Sequence, residues 1–274
     1  MKPRLLRAAL AALAAVATPL AHALVFAVNE GVTYRVSNDE IRARYAALSN
    51  DMAKILGQPV TVEPVGYYPA LREGLQKKTY DLAIVHPAHI SIEALQSGWR
   101  LVAVTKGYEN YAASFLVRAD SPLKSLADLK GRKLGAPDED SITSWMVRAT
   151  MRDALGDAKA VAYTYTRYQD AVPFMVQYTF TQAGATAAAS VVKEWQAAGG
   201  KVLAKSKPVP IKHVIASPAI TPEQVAKLRD YLVGLDSTEE GRRKLEPIKV
   251  KGYMAYDTQT LLQLGQWLGV GQPR

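Results

Sequence analysis

The sequence predicts an α/β protein built from two lobes. Three observations carry that prediction. Apolar strand-like runs alternate with amphipathic helical runs from residue 24 onward. The 274 residues, 49% of them hydrophobic, exceed the usual size of one domain and suffice for two cores. A proline-flanked stretch at 207–211 interrupts the alternation and marks a boundary.

The first series opens with the strand "LVFAV" at 24–28 and continues into a helix over 38–57. Ile41, Tyr45, Leu48, Met52 and Ile55 recur there at helical spacing, with Asn38 or Asp39 as the cap and Gly57 as the stop. Next come "VTVEPV" (60–65), a helix from Tyr68 to Lys77, "DLAIV" (81–85), a helix from Ile90 to Ser97, and "RLVAVTK" (100–106). Strands separated by helices of this length predict a largely parallel sheet. The second series holds a strand at 133–136, a helix from Thr143, "AVAYTY" (160–165), a helix over 169–179, "ATAAAS" (185–190), a helix at 191–198 and "KVLAKS" (201–206). After the prolines the chain resumes with "IKHVIASP" (211–218) and closes with helices at 222–234, 238–245 and 257–268.

Residues 1–23 are a separate matter. Lys2, Arg4 and Arg7 precede a short apolar stretch that ends in Ala21-His22-Ala23, the small-x-small pattern of a signal peptidase site. The reading is a cleaved secretory signal, because the stretch is too short to span a bilayer comfortably. The leader takes three basic residues with it, so a chain with 34 basic and 25 acidic residues keeps a mild positive excess. That suits small anions. No basic run or aromatic-basic interleaving points to nucleic acid. The absence of cysteine excludes disulfides, thiolate nucleophiles and lipid attachment through a cysteine. The expectation is a monomer, free in the periplasm.

The segments "YYPALREGLQKKTYDLAIVHPAH", "FLVRADSPLKSLADLKGRKLGAPDEDSITSW" and "YQDAV" together resemble the phosphate/phosphite/phosphonate family of periplasmic substrate-binding proteins that serve ABC importers. The likeness runs in order from residue 24 to 215. It implies a type II periplasmic binding protein with two hinge crossings and a central ligand cleft. Lobe 1 would comprise 24–113 plus 212–274, lobe 2 would comprise 114–211, and the crossings would lie near Ser114–Val117 and Val209–Ile215. The partners implied are a small oxyanion and an inner-membrane ABC permease; a sensor kinase is the alternative membrane partner.

The turn "KLGAPDEDSITSW" is the most telling site candidate. A helix N-terminus offers unpaired N–H groups and a partial positive charge, and Ser141, Thr143 and Ser144 add hydroxyl donors. The same hydroxyls also suit simple helix capping. In the family a Ser-Thr-Ser turn here holds phosphoryl oxygens; this chain reads Ile142-Thr143-Ser144, so one hydroxyl is displaced to Ser141. Asp138, Glu139 and Asp140 would repel a dianion if they faced the cleft, and the expectation is that they face solvent.

Tyr68 stands where the family places a tyrosine near the ligand, with Tyr67 beside it and a core role as the other option. After "DLAIV" the family has Gly-Pro; here His86-Pro87-Ala88-His89 follows, and His86 is a candidate hydrogen-bond donor. The histidine pair is a poor metal motif, because Pro87 breaks the helical spacing. Where phosphonate binders have Ser-His-Asp this chain has Tyr168-Gln169-Asp170, so Gln169 replaces an imidazole that would bond the anion. The acids that hold the amine of aminoalkyl phosphonates are absent from "ATAAAS". No G-x-S-x-G, P-loop or G-x-G-x-x-G occurs. A Ser141–His86 pair across the cleft is conceivable, but nothing orients the imidazole. No catalytic residue, metal ligand or cofactor is assigned.

Overall fold

A computed structural model describes residues 23–30 and 37–271. The signal-peptide reading of residues 1–23 falls almost wholly outside them. The first lobe is built on β1 (Leu24–Asn29), α1 (Asn38–Leu56), β2 (Val60–Pro64), α2 (Tyr68–Lys77), β3 (Leu82–Val85), α3 (Ala88–Gln96) and β4 (Arg100–Thr105). The second holds β5 (Ser114–Val117), β6 (Lys133–Ala136), α4 (Ile142–Leu155), β7 (Ala162–Tyr165), α5 (Val172–Gln177), β8 (Ala183–Thr186), α6 (Ala189–Ala197) and β9 (Lys201–Lys205). The chain then returns as β10 (His213–Ala216), α7 (Pro222–Gly234), α8 (Glu239–Leu245), β11 (Tyr253–Met254) and α9 (Thr258–Leu268).

Two sheets result, ordered β11-β4-β10-β3-β1-β2 and β7-β6-β8-β5-β9. The fold is the two-lobed α/β architecture expected, but the sheets are mixed. β10 runs antiparallel to β3 and β4, and β5 runs antiparallel to β8 and β9. The cause is topological: β4 and β9 run toward the cleft, so a chain that crosses over enters the other sheet at its cleft edge and must run away from it. The crossings are residues 106–113 and 206–212, tied by a bridge between Tyr111 and Val209. Ser114–Val117, expected at a crossing, lies inside the second sheet instead.

Local chemistry explains the remaining differences. Ser37, rather than Asn38 or Asp39, caps α1 by accepting from the Glu40 N–H at 3.2 Å. The stripe Ile41, Tyr45, Leu48 and Met52 is buried against the sheet, and Gly57 ends the helix at φ 68°. The helix expected over 169–179 is a single tight turn, Gln169–Ala171, followed by α5, because Pro173 fits only the first turn of a helix. β8 ends at Thr186, before the run "AAAS". Helix α9 reaches across the molecule: the Trp267 indole donates to Asp153 of α4 at 2.8 Å.

Candidate functional site

The C-terminal ends of β1, β3, β6 and β8 face the gap between the lobes, the usual place for ligands in open α/β sheets. A cavity of about 40 Å³ lies there, lined by Tyr68 and His86 from the first lobe, Tyr111 from the crossing, and Ser141, Ile142, Thr143 and Gln169 from the second. At roughly 10–15 Å³ per water it has room for about three waters, the size of a small tetrahedral anion.

Helix α4 supplies the floor. Ser141 is its N-cap, and its Oγ accepts from the Ser144 N–H at 3.2 Å. By helix geometry the N–H groups of Ile142 and Thr143 have no carbonyl within the helix to bond, and both residues line the cavity. Their donors and the helix dipole favour negative charge at this point. Ser144 is directed elsewhere. Its buried hydroxyl donates to the Pro137 carbonyl at 3.0 Å and accepts from Ser141 Oγ at 3.2 Å, so it braces the turn and does not line the cavity.

Gln169 is anchored at both ends of its amide. Oε1 accepts from Thr186 Oγ1 at 3.0 Å and from the Ala187 N–H at 2.7 Å, while Nε2 donates to Tyr111 Oη at 2.8 Å. Tyr111 Oη in turn lies 3.3 Å from Thr143 Oγ1. The amide therefore orients a tyrosine that the sequence reading did not single out. Its signal was available: Tyr111 stands in a crossing segment, where side chains face the cleft.

Tyr68 opens α2, is buried, and packs edge-on to His89 with ring centroids 6.5 Å apart. Tyr67 is 66% exposed and lies off the cavity. His86 borders the cavity, and its Nδ1 is buried without a hydrogen-bond partner. Burial, reinforced by the nearby Lys212 and His213, holds its pKa down at about 3, so the imidazole is neutral at physiological pH.

Of the three acids expected to face solvent, Asp138 and Glu139 are exposed and Asp140 is not. Asp138 also lines the cavity mouth with Arg167 and accepts from the Asp140 N–H at 2.9 Å. Asp140 faces the other lobe, where Arg72 of α2 grips it with two bonds of 2.5 and 3.0 Å and also bonds Glu93 at 2.9 Å. Burial alone would raise the Asp140 pKa; His89 and Arg72 beside it outweigh that and hold it far below the usual range. His89 is fully buried, stacks on Trp145 of α4 at 4.9 Å, and brings Nε2 within 3.5 Å of Asp140. These contacts join α2 and α3 of one lobe to α4 of the other. The molecule is therefore closed over the cavity.

Residues 31–261 match the family described as the periplasmic substrate-binding protein of phosphonate ABC transporters. The chain belongs to that family. Among solved structures, this phosphonate-family binding protein is similar to a Xanthomonas citri protein bound to ATP, with TM-score 0.71 and 16% identity, covering 90% of this chain and 96% of that one. It is also similar to PhnD1 from Prochlorococcus marinus in complex with methylphosphonate, with TM-score 0.63 and 16% identity over 89% and 96% of the two chains. The periplasmic aliphatic sulphonate binding protein of Escherichia coli gives TM-score 0.54 and 18% identity over 92% and 79%. At these identities the likeness establishes the fold. A comparison with curated protein sequences finds no match.

Proposed function

We propose that this binding protein captures a small phosphonate-type oxyanion in the periplasm and delivers it, lobes closed, to an ABC permease. The observation that carries the reading is the cavity at the α4 N-terminus, where two helix N–H groups, Ser141, Thr143, Tyr68 and Tyr111 converge from both lobes. Asp138 and Arg167 at its mouth offset one another in charge, so neutral donors and the helix terminus hold the anion. Ligand bound to α4 gains the Tyr68 and His86 contacts only in the closed form, and so shifts the hinge equilibrium by that differential affinity. The methylphosphonate of the Prochlorococcus relative supports an alkyl phosphonate as the first ligand to try. Secretion fits the same role: β1 begins at Leu24, so cleavage after Ala23 leaves the first core strand whole.

Thermal-shift screening of the mature protein against phosphate, phosphite, methylphosphonate, sulfate and an alkyl sulphonate tests the proposal. The right anion at 100 times its dissociation constant adds about 2.7 kcal/mol of stability. No response to any of them would sink it.

A further inference from the structure

A second cavity, of about 100 Å³, lies on the first-lobe side of His86, which lines both. Its other walls are Glu30, Arg44, Tyr108, Lys212, Ile248 and Lys249. The charges do not balance. Both oxygens of Glu30 are engaged, one by Tyr45 Oη at 2.9 Å and the other by Arg44 at 3.3 Å, and Arg44 is further paired with Glu40 at 2.5 Å. Lys212 is only 7% exposed, yet its ammonium makes no hydrogen bond or ion pair among the described residues. Its one contact of note is with the face of Tyr108, 5.4 Å from the ring centre. Lys249, more exposed, also has no carboxylate at ion-pair distance among the described residues.

A desolvated ammonium without a counter-ion is unfavourable, and burial accordingly lowers the Lys212 pKa despite the attraction of Glu30. The backbone at Lys212 adds to the cost, for a non-glycine residue at φ 69° sits in the left-handed region. The crossing thus places a buried cation in a cavity next to the oxyanion site. Beside it His86 lines the same cavity, and its buried Nδ1 has no hydrogen-bond partner.

We propose that this cavity is a second anion subsite, in which Lys212, aided by Lys249 and His86, takes a carboxylate or phosphoryl group. The proposal rests on the phosphonate-type reading of the first cavity and extends it: the group is either the far end of a substrate carrying two acidic groups or a separate small anion bound alongside.

Calorimetric titration of the parent, Lys212→Met and Lys212→Arg with methylphosphonate and with phosphonoacetate tests this, each protein's melting temperature being checked first. If the far end of the substrate occupies the subsite, the parent binds phosphonoacetate at least tenfold more tightly than methylphosphonate. The advantage then falls to about onefold in Lys212→Met and survives in Lys212→Arg. If a separate anion occupies it, sodium acetate tightens methylphosphonate binding to the parent and not to Lys212→Met. Equal affinities in the parent with no acetate effect overturn the subsite, as does an advantage that persists in Lys212→Met. Should neither phosphonate bind, the first reading fails by itself, and acetate decides the subsite alone: it must raise the melting temperature of the parent more than that of Lys212→Met, or the subsite is rejected.

Discussion

Ser141, Thr143 and Ser144 stand within four residues of one another but hold different positions. Thr143→Ala removes a hydroxyl that faces the cavity and is expected to weaken oxyanion binding by about 1.5–3 kcal/mol, the range for a hydrogen bond to a charged group. Ser144→Ala removes the brace on Pro137 and is expected to lower the melting temperature by about 2–4 °C, a cost near 1 kcal/mol, with little change in affinity. Calorimetry and melting curves on the two variants separate these outcomes, and equal affinity losses would contradict the assignment. His86 is expected to leave affinity for a monoanionic ligand flat from pH 8 to 6, because its pKa of about 3 keeps it neutral throughout. A rise toward pH 6 that disappears in His86→Gln would show the imidazole titrating in the cleft. The hydroxyl turn was legible because a helix start with three hydroxyls is a local signal. Ser144's inward turn was not, since rotamer choice depends on the Pro137 carbonyl, fixed only once the turn has folded.

At the scale of elements, α2, α3 and α4 meet through Arg72, His89, Asp140 and Trp145. Arg72 and Asp140 are 68 residues apart in sequence and belong to different lobes, so no periodicity or spacing could pair them. Asp140 accordingly looked like a solvated acid near a helix start. Most helices and strands were readable within a few residues because apolar stripes and glycine stops are local, as in α1. The antiparallel entry of β5 and β10 was hidden, since it follows from where the crossings enter each sheet. The Arg72–Asp140 contact forms only when the lobes meet. Asp140→Asn should therefore lower the population of the closed form and weaken ligand binding by about 1–2 kcal/mol, roughly five- to thirtyfold, without touching the ligand. Small-angle scattering of the unliganded variant is expected to give a larger radius of gyration than the parent; an unchanged radius and affinity would mean the pair does not govern closure.

For the whole molecule, three histidines whose pKa values desolvation depresses, His86, His89 and His213, shape the acid limb of stability. His213 donates Nε2–H to the Pro210 carbonyl at 3.0 Å and accepts from Ser91 at Nδ1, an arrangement for the neutral ring; burial holds its pKa at about 4. His86 lies at about 3. Both are depressed from about 6.5, so below that pH the unfolded chain binds protons that the native state does not, and stability falls with acid until pH approaches 4. Urea unfolding is expected to show a loss of about 2 kcal/mol for each of His86 and His213 between pH 7 and 5. His86→Gln should remove about 2 kcal/mol of it, and a difference as large as the parent's would contradict the depressed pKa of that ring.

Capture of an oxyanion at the α4 N-terminus by lobe closure is the central claim. Titration calorimetry of the mature parent and the Ser141→Ala/Thr143→Ala double variant with methylphosphonate, at one pH and salt concentration, tests it most directly. The expected result is one site per chain in the parent and an affinity at least tenfold weaker in a variant that still melts cooperatively, the Thr143 hydrogen bond to the anion being worth about 1.5–3 kcal/mol. Equal affinities in the two proteins would place the ligand elsewhere and contradict the claim.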